Sequence, residues 1–339
     1  MDFDFTDEQY ALRNLARELF ERESPPSRLR SQWTDEDPRD DKVWRTMAEA
    51  GLLGITVPET FGGLGGNEID LALVLEEAGR ACLPEPLVET VAIGAPLLAE
   101  AGTHEQQREW LSRIAGGDAI VTVRLGGAPF VVDADIADLL LVEWAGELHA
   151  LPRGHFTARR VLSEDRGRRI FEVDADVMTA SRMAGGPPEA AEALRRGAAA
   201  TAGVLNGIAM QLLEMTVEHV KSRKQFDRPV GSFQAVKHKL ADVHVMVESA
   251  RAAAWYAAYA IARGLPDRGV AASVAKAAAG EAERRANTEA LQCHAGIGFT
   301  WEHDLHFWLK RGKALEAAYG SAREHRAALS AHVFQDPDA

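Results

Sequence analysis

The sequence is poor in cysteine, in long apolar runs and in positive charge. Cys82 and Cys293 are the only cysteines among 339 residues, too few for a disulfide framework, so we expect reduced thiols. No apolar run is long enough to span a bilayer, and Met-Asp-Phe-Asp at the start lacks the cationic end and apolar stretch of a signal peptide. Asp and Glu number 51 against 38 Lys and Arg, and the formal charge of −13 would repel a phosphate backbone. We therefore expect a cytoplasmic protein that binds no nucleic acid and spans no membrane.

The composition predicts a folded protein with a large core. Hydrophobic residues make up 46% of the chain, enough to bury an interior shared by two or three subdomains. In the N-terminal part, VWRTMAEAGLLG carries apolar residues at Val43, Met47 and Leu52 before glycine ends the helix. Changes in hydrophobic period divide the chain into a helical domain, a small β domain and a second helical domain, over residues 1–118, 119–182 and 183–339.

The middle segment has the pattern of strands rather than helices. LLLVEWAGELHAL predicts two strands around a turn at Ala145 and Gly146. IVTVRL and RRIFEV predict two further strands. The β domain is therefore expected to be small.

Helical periodicity returns after the loop that ends at Pro188. One helix is predicted to run to about Ser222 and a second to start at Phe233, with two more over about 270–293 and from about Asp304 onward. Four such helices are typical of a bundle. The expected fold class is mainly α with a small, reduced β middle domain and a C-terminal four-helix bundle.

Three segments resemble the acyl-CoA dehydrogenase family. GLLGITVPETFGGLGG followed by LVLEEAGRA resembles the family's N-terminal domain, which typically shows a Gly-Leu, a Pro-Glu and a Gly-Gly-x-Gly loop. RKQFDRPVGSFQAVKHKLADV resembles its C-terminal signature of Arg-x-x-Phe, then Phe-Gln, then Leu-Ala-Asp or Glu. LQCHAGIGFTWEHDLHFWLKR resembles the family segment in which Gln, three further residues and then Gly precede another Gly. The resemblance covers about residues 1–118 and 195–330 and is weak in between.

The resemblance implies a set of residues that bind FAD. In the family, FAD lies across a dimer interface, where one subunit's β domain holds the flavin ring and the neighbour's helical domain reaches the pyrophosphate and adenine. A guanidinium suits a diphosphate because it makes fork-shaped, charge-assisted bonds, and a glycine lets backbone approach closely. We call the helical domain's part of the site, which one subunit contributes to its neighbour's FAD, the lending side. The residues that match it are Arg223, Gln225, Phe233, Gln234, Gln292 and Gly296.

Each of these residues also has an ordinary structural interpretation. Arg223 would be a cation that interacts favourably with the dipole at the C-terminal end of a helix. Gln292 would be an ordinary residue of the helical bundle. The joint spacing of two separated segments favours the cofactor interpretation over this one.

The β domain, which in the family holds the flavin ring, does not match the family's sequence pattern here. Family members usually carry Thr-Glu-Pro and a downstream Gly-Ser-Asp in the β domain, where these groups contact flavin and substrate. The corresponding stretch here reads AIVTVRLGGAPFVVDADIADLLLV and contains neither tripeptide. The resemblance therefore implies a chain that does not hold the flavin ring by itself.

The family's catalytic base is missing from both of its usual positions, so no catalytic residue is assigned. Family members remove the α-proton of an acyl-CoA thioester with a Glu carboxylate while hydride leaves the β-carbon for the flavin. The resemblance places Tyr319 at the commoner position of this Glu and Gly197 at the other. Tyrosine cannot replace the carboxylate at neutral pH, because its unperturbed pKa is about 10. A shifted alignment would offer Glu316 or Glu192 instead.

The pattern resembles the smaller, non-catalytic subunit of the actinobacterial heterotetrameric acyl-CoA dehydrogenases, which act on CoA thioesters of steroid side chains and similar bulky acids. It implies an α2β2 assembly in which this chain shares FAD with a catalytic acyl-CoA dehydrogenase subunit that holds most of the acyl-CoA. An electron-transfer flavoprotein is a candidate acceptor. Two alternatives stay open: a self-sufficient homomeric flavoenzyme with an unrecognised base, and a flavin-free structural homologue.

Two other groups of residues receive structural rather than functional interpretations. His303, Asp304 and His306 lack the i, i+4 spacing of a helical zinc site, so they are predicted to start a helix with Asp304 near its cap. Cys293 is interpreted as a small buried hydrophobe rather than a nucleophile. No metal site is predicted.

Overall fold

The computed structural model describes residues 4–34 and 41–335, so the outermost ends of the predicted first and last domains lie outside the described residues. The N-terminal part is helical. Three of its helices begin with capping boxes, in which the side chains of Thr6, Asn67 and Thr103 accept hydrogen bonds from backbone amides of the first turn. The helices are α1 (Asp7–Glu23), α2 (Pro26–Thr34), α3 (Lys42–Glu49), α4 (Glu68–Arg80), α5 (Ala95–Ala101) and α6 (His104–Ala115), with a π-helical segment at Val88–Gly94 leading into α5.

The middle of the chain forms two small sheets. Its strands are β1 (Val121–Arg124), β2 (Val131–Val132), β3 (Leu139–Trp144), β4 (Glu147–Pro152), β5 (Phe156–Val161) and β6 (Ile170–Ala175). One sheet has the order β1-β3-β4, with β1 parallel to β3, and the other has the antiparallel order β2-β6-β5.

The strand predictions are confirmed for β1, β3, β4 and β6, and the turn between β3 and β4 has positive φ at Ala145 and Gly146. The sequence missed β2 and β5. Most of β5 is exposed and polar, so it lacks the alternation that marks a half-buried strand.

The C-terminal part is a helical bundle with a short hairpin inserted in it. Its elements are α7 (Pro187–Ser222), β7 (Lys224–Gln225), β8 (Arg228–Pro229), α8 (Gln234–Ala262), α9 (Arg268–His294), α10 (Leu305–Ala317) and α11 (Ala322–Gln335). The predicted end of α7 at Ser222 and the start of α8 after Phe233 are confirmed. Asp304 is the N-cap of α10, as predicted.

The prediction of a single last helix is wrong, because α10 and α11 are separate. Tyr319 and Gly320 have φ values of 53° and 95°, which no α-helix accommodates. The buried Lys276 ammonium of α9 donates to the carbonyls of Glu316 and Gly320, each at 2.8 Å, and so holds the break in place. Side-chain capping by a residue 40 positions away is invisible to local periodicity.

Helix α7 is the central element of the molecule and packs against α4, α8 and α9. Leu205, Ile208 and Leu212 recur on one face of this helix and are fully buried. The β part is tied to the bundle by Arg311 of α10, whose buried guanidinium pairs with buried Asp165 and donates to a main-chain carbonyl of the N-terminal part. No helix within the described ranges has the length and apolarity needed to cross a bilayer.

Candidate functional site

Residues 222–234, which include Arg223, Lys224 and Arg228, form an exposed hairpin at one end of the bundle, which we call the elbow. Strands β7 and β8 pair through Lys224 with Pro229 and Gln225 with Arg228. Its two-residue turn places Phe226 and Asp227 at φ 53° and 60°, the left-handed region that hairpin turns require.

Several elbow side chains have no partner within the described part of the chain. The side chains of Arg223, Gln225 and Gln234 are exposed and make no hydrogen bond or ion pair to any described residue. Phe226 is 87% exposed at the tip. The exposed Phe226 ring and the Arg223 guanidinium lie close together on the elbow, and both are candidates for a contact outside this chain.

The elbow contains one internal stack. The Arg228 guanidinium carbon lies 3.9 Å from the centroid of the Phe233 ring, and Phe226 meets the same ring edge to face at 6.2 Å. Arg228 is thus held over an aromatic face, whereas Arg223 is left with its fork of donors available. The neighbouring cations raise the positive potential around Arg223, which suits an anion.

The fold brings the second predicted segment to the same end of the bundle. His219, in the last turn of α7, stacks on His294 at the end of α9, with centroids 4.2 Å apart. Lys239 of α8 pairs with Glu289 of α9 at 2.9 Å. The ends of α7 and α9 and the start of α8 therefore converge.

Gln292 and Gly296 are both exposed at this end. The Gln292 side chain makes no hydrogen bond to any described residue. A β-carbon placed on Gly296 would meet nothing within 4 Å, so packing inside this chain does not require a glycine there. A glycine in open space fits a position that backbone of another chain or a ligand approaches closely.

The donor set fits the pyrophosphate and adenine side of a dinucleotide. A guanidinium with its fork available, three unpaired amides and an accessible glycine surface supply charge-assisted and neutral hydrogen bonds. The exposed Phe226 ring adds an aromatic face. Phe226 and Arg228 were not among the predicted cofactor residues, although Phe226 is the Phe of the Arg-x-x-Phe signature and could have been found from it.

The two positions where a family base is expected lie against each other. A β-carbon at Gly197 would be 2.6 Å from Cδ1 of the Tyr319 ring, so the tyrosine occupies the space that a longer residue at 197 would need. The Tyr319 hydroxyl donates to Glu89 Oε1 at 3.3 Å. Burial, with the nearby Glu89 charge, raises the pKa of Tyr319 well above 10, so this phenol stays protonated at neutral pH.

The surrounding cavity lies where the three parts of the chain meet, and its volume is about 50 Å³. It has room for a few water molecules but not for a tricyclic flavin ring. Its lining comes from the segment before α5, from two loops of the β part and from the bundle, and includes Glu89, Asp133, Arg168, Thr201 and Tyr319.

Glu89 is a group in this cavity that the sequence analysis missed and that has the chemistry of a base. Glu85 and Asp133 are further carboxylates of the lining, and Glu89 is the one that accepts from the Tyr319 hydroxyl. It lies in the π-helical segment, where it is 6% exposed. The signal for it was a single carboxylate inside the apolar run LVETVAIGAPLL, because buried acids need a partner or a role.

The two alternative bases lie elsewhere. Glu192 pairs with Arg195 at 2.6 Å and with Arg268 at 3.0 Å. Glu316 lies near Lys313 and packs toward α9 at Gly280. Neither lines the cavity that contains Tyr319.

Comparisons with known proteins cover nearly the whole chain. The acyl-CoA dehydrogenase N-terminal domain family matches residues 6–118 and the C-terminal domain family matches residues 185–334. Acyl-CoA dehydrogenase IpdE2 of Mycobacterium tuberculosis is 34% identical over 337 residues, which cover 98% of this chain and 99% of the relative.

Solved structures show the same architecture. The ChsE4-ChsE5 complex from Mycobacterium tuberculosis is similar with a TM-score of 0.91 and 26% identity, covering 99% of this chain and 100% of that one. A variant of the Tcur3481-Tcur3483 steroid ACAD has a TM-score of 0.88 and 29% identity, covering 98% of this chain and 99% of that one.

Proposed function

The chain belongs to the acyl-CoA dehydrogenase family of FAD-dependent oxidoreductases, and from this we propose that it is the subunit that lends the pyrophosphate and adenine side of an FAD site to a catalytic partner. The partner supplies the β domain that holds the flavin ring and the Glu that takes the α-proton. This chain then contributes to α,β-dehydrogenation of an acyl-CoA without a base of its own.

The observation that carries the proposal is the contact between Gly197 and Tyr319. Each of the two positions where the family places its base is occupied by a residue that is not a base, and the Tyr319 ring fills the space over Gly197. The cavity of about 50 Å³ at this point leaves no room for a flavin ring. Among the lending residues, by contrast, the side chains of Arg223, Gln225, Gln234 and Gln292 are exposed and make no hydrogen bond or ion pair to a described residue.

The residues of the elbow and of the α9 end divide the proposed binding between them. Arg223 binds the pyrophosphate through its guanidinium fork, and Gln225, Gln234 and Gln292 donate to phosphate, ribose or adenine. Phe233 supports Arg228 and orients the hairpin, while Gly296 permits close approach. When bound, FAD accepts the hydride from the substrate's β-carbon.

Partner and substrate follow from the relatives. ChsE4-ChsE5 is a complex and Tcur3481-Tcur3483 is a steroid ACAD, so we propose an α2β2 assembly that acts in the cytoplasm on CoA thioesters of steroid side chains or similar bulky acids. An electron-transfer flavoprotein is the proposed acceptor.

Loss of the flavin site in this chain leaves space for a large acyl group in the assembly. A substrate-length series with the complete complex tests this, and equal activity on short and bulky acyl groups would contradict it.

Purification alone and after co-expression tests the proposal. The partner for co-expression is a full-length acyl-CoA dehydrogenase that has its Glu in place, and an adjacent gene for such a homologue would favour the proposal. We expect a colourless protein alone and, after co-expression, a yellow complex that reduces an electron acceptor with an acyl-CoA. A protein that stays colourless in both preparations would instead be a flavin-free structural homologue.

Glu89 favours a second candidate, a homomeric enzyme in which this carboxylate is the base. That enzyme would be yellow when purified alone, and Glu89→Gln would remove its acyl-CoA activity while leaving FAD bound. In the heteromeric complex the same substitution should leave turnover close to that of the wild-type complex.

A further inference from the structure

Three imidazoles meet behind the elbow. The rings of His219 and His294 stack at 4.2 Å with an interplanar angle of 25°, and His303 meets His294 edge to face at 4.7 Å and His219 at 6.5 Å. The three come from α7, α9 and the loop before α10, which are separate parts of the sequence. The proposed function uses none of them.

The stack joins the two segments that the proposed FAD site needs. The Arg223 amide donates to the His219 carbonyl at 2.8 Å, so the elbow leaves α7 directly from this residue. His294 is the last residue of α9, two residues after Gln292 and two before Gly296. The contact between these two rings therefore joins the α7 end that leads into the elbow to the end of α9.

A buried nitrogen without a partner in His294 and a hydrogen bond accepted by His303 both favour neutral rings. His294 Nδ1 lies 2.8 Å from the Ala290 carbonyl and must donate to it, which leaves Nε2 as the unprotonated nitrogen. That Nε2 is buried without a partner, and the side chain is 3% exposed. Protonation would put an unpaired charge there. His303 Nδ1 accepts from the Leu305 amide at 3.1 Å, so its protonation removes a bond at the start of α10.

The surrounding charges act in the same direction. The charged groups that lower the pKa of the two stacked histidines are His303, Arg223 and, for His294, His219. Each of these is a cation or becomes one on protonation. Burial, followed by these like charges, lowers the pKa of His219. Burial, together with the charges of His219 and His303, lowers the pKa of His294 to about 4, although its bond to Ala290 opposes the shift.

We propose that the His219–His294 stack is a positioning joint that fixes the elbow against the C-terminal end of α9, and that it holds only while both rings are neutral. Opening of the joint exposes the histidines to water, where their pKa returns to about 6.5. Protons therefore bind the open form more strongly. The joint is closed above about pH 6.5 and weakens as pH falls from there toward the folded-state values.

Hydrogen exchange of the elbow tests the joint without any cofactor. Protection of the amides of residues 222–234 is measured in the purified chain between pH 7.5 and 5.5, relative to an unstructured peptide of the same sequence. We expect wild-type protection to fall about tenfold for each histidine that titrates on opening. His219→Phe keeps an aromatic stack but removes one of the titrating rings. Its protection should be high at pH 7.5 and should fall about tenfold less than that of the wild type by pH 5.5, because His294 still titrates on opening.

Two further variants define the outcome. His219→Ala removes the stack and should lower elbow protection at both pH values, whereas His104→Phe on exposed α6 should behave as wild type. Wild-type protection that does not change with pH, or His219→Ala protection equal to wild type, overturns the joint. If His219→Ala does not fold, the wild-type and His219→Phe profiles still decide.

The consequence for FAD rests on the proposed function, and a separate measurement keeps the two apart. FAD content of the assembled complex should fall at pH 5.5 for wild type and less for His219→Phe. If elbow protection responds as expected but FAD content does not, the joint stands and the assignment of FAD to the elbow fails. If protection does not respond, the joint fails whatever the FAD content is.

Discussion

At the scale of single residues, the candidate site is distinguished by what its side chains do not contact. Lys221 pairs with Glu218 at 2.8 Å and Arg228 lies over Phe233, but Arg223 is left without a partner among the described residues. A chain with a charge of −13 has many carboxylates that could pair with it. An unpaired guanidinium in such a chain is consistent with a binding role.

Substitution of Arg223 should weaken FAD retention by the assembled complex. Arg223→Ala removes one charged hydrogen-bonding group, which corresponds to about 1.5 to 3 kcal/mol, or roughly 10-fold to 150-fold in the FAD dissociation constant. Arg223→Lys should be intermediate, because an ammonium keeps the charge but not the fork. The measurement is FAD content after dialysis of the complex.

Lys221→Ala is the matched control, since it removes a neighbouring cation that is already paired. It should retain FAD like the wild type. Equal retention by Arg223→Ala and Lys221→Ala would remove Arg223 from the site.

At the scale of secondary structure, α4 and α7 are held at backbone contact by glycines. A β-carbon on Gly79 would lie 2.0 Å from the Val204 carbonyl oxygen, and one on Gly207 would lie 2.0 Å from that of Glu76. Helices approach this closely only where side chains are missing. We call this contact, at Gly79 of α4 and Gly207 of α7, the helix seam. It fixes the position of α7, and with it the elbow, relative to the N-terminal part.

Alanine at either seam position should destabilise the chain. Gly79→Ala and Gly207→Ala press a methyl group onto main-chain atoms that cannot move aside, which we expect to cost about 1 to 3 kcal/mol or more of unfolding free energy. Chemical denaturation of the purified chain measures it.

Gly280→Ala in α9 is the control, because its β-carbon would meet only ordinary contacts at 3.6 and 3.7 Å. It should be neutral or gain about 0.5 to 1 kcal/mol from the better helix propensity of alanine. Similar losses at all three positions would mean that the helix seam is not the cause.

At the scale of the whole molecule, two sets of groups with shifted pKa values make stability depend on pH in opposite directions. His219 and His294 favour the folded state above about pH 6.5. Glu283 of α9 is 1% exposed, and burial raises its pKa from 4.5 to about 7, although Asn287 donates to it at 3.1 Å. The folded state therefore binds the Glu283 proton more tightly than the unfolded state does.

Glu283→Gln should remove the loss of stability that Glu283 causes as pH rises from about 4.5 to 7. The carboxyl is protonated in both states below that window and must ionise in a buried site above it. At pH 8 we expect the variant to be more stable by on the order of 2 kcal/mol, with little difference at pH 4.5. Denaturation midpoints between pH 4.5 and 8 measure the effect.

Glu18→Gln on the exposed side of α1 is the control and should leave the pH profile of stability unchanged. A Glu283→Gln profile parallel to that of the wild type would contradict the assigned burial effect.

Local sequence patterns predicted much of this architecture. The helices on either side of the elbow end and begin where Ser222 and Phe233 indicate, since capping, proline and periodicity act over a few residues. The strands β3 and β4 follow from alternation around the Ala145 and Gly146 turn. The six proposed cofactor residues came from the resemblance of two segments to the acyl-CoA dehydrogenase family, and their binding role stays a prediction.

Long-range contacts decided the rest. The break between α10 and α11, the contact of Tyr319 with Gly197 and the presence of Glu89 beside them each join residues far apart in the chain. The same is true of the stack between His219 and His294. Helices and strands form through interactions between residues that are near neighbours in the sequence, so the sequence alone determined them. A site forms from side chains that only tertiary packing brings together. For this chain, the contacts of Tyr319, Glu89 and the stacked histidines were therefore visible only in the tertiary structure.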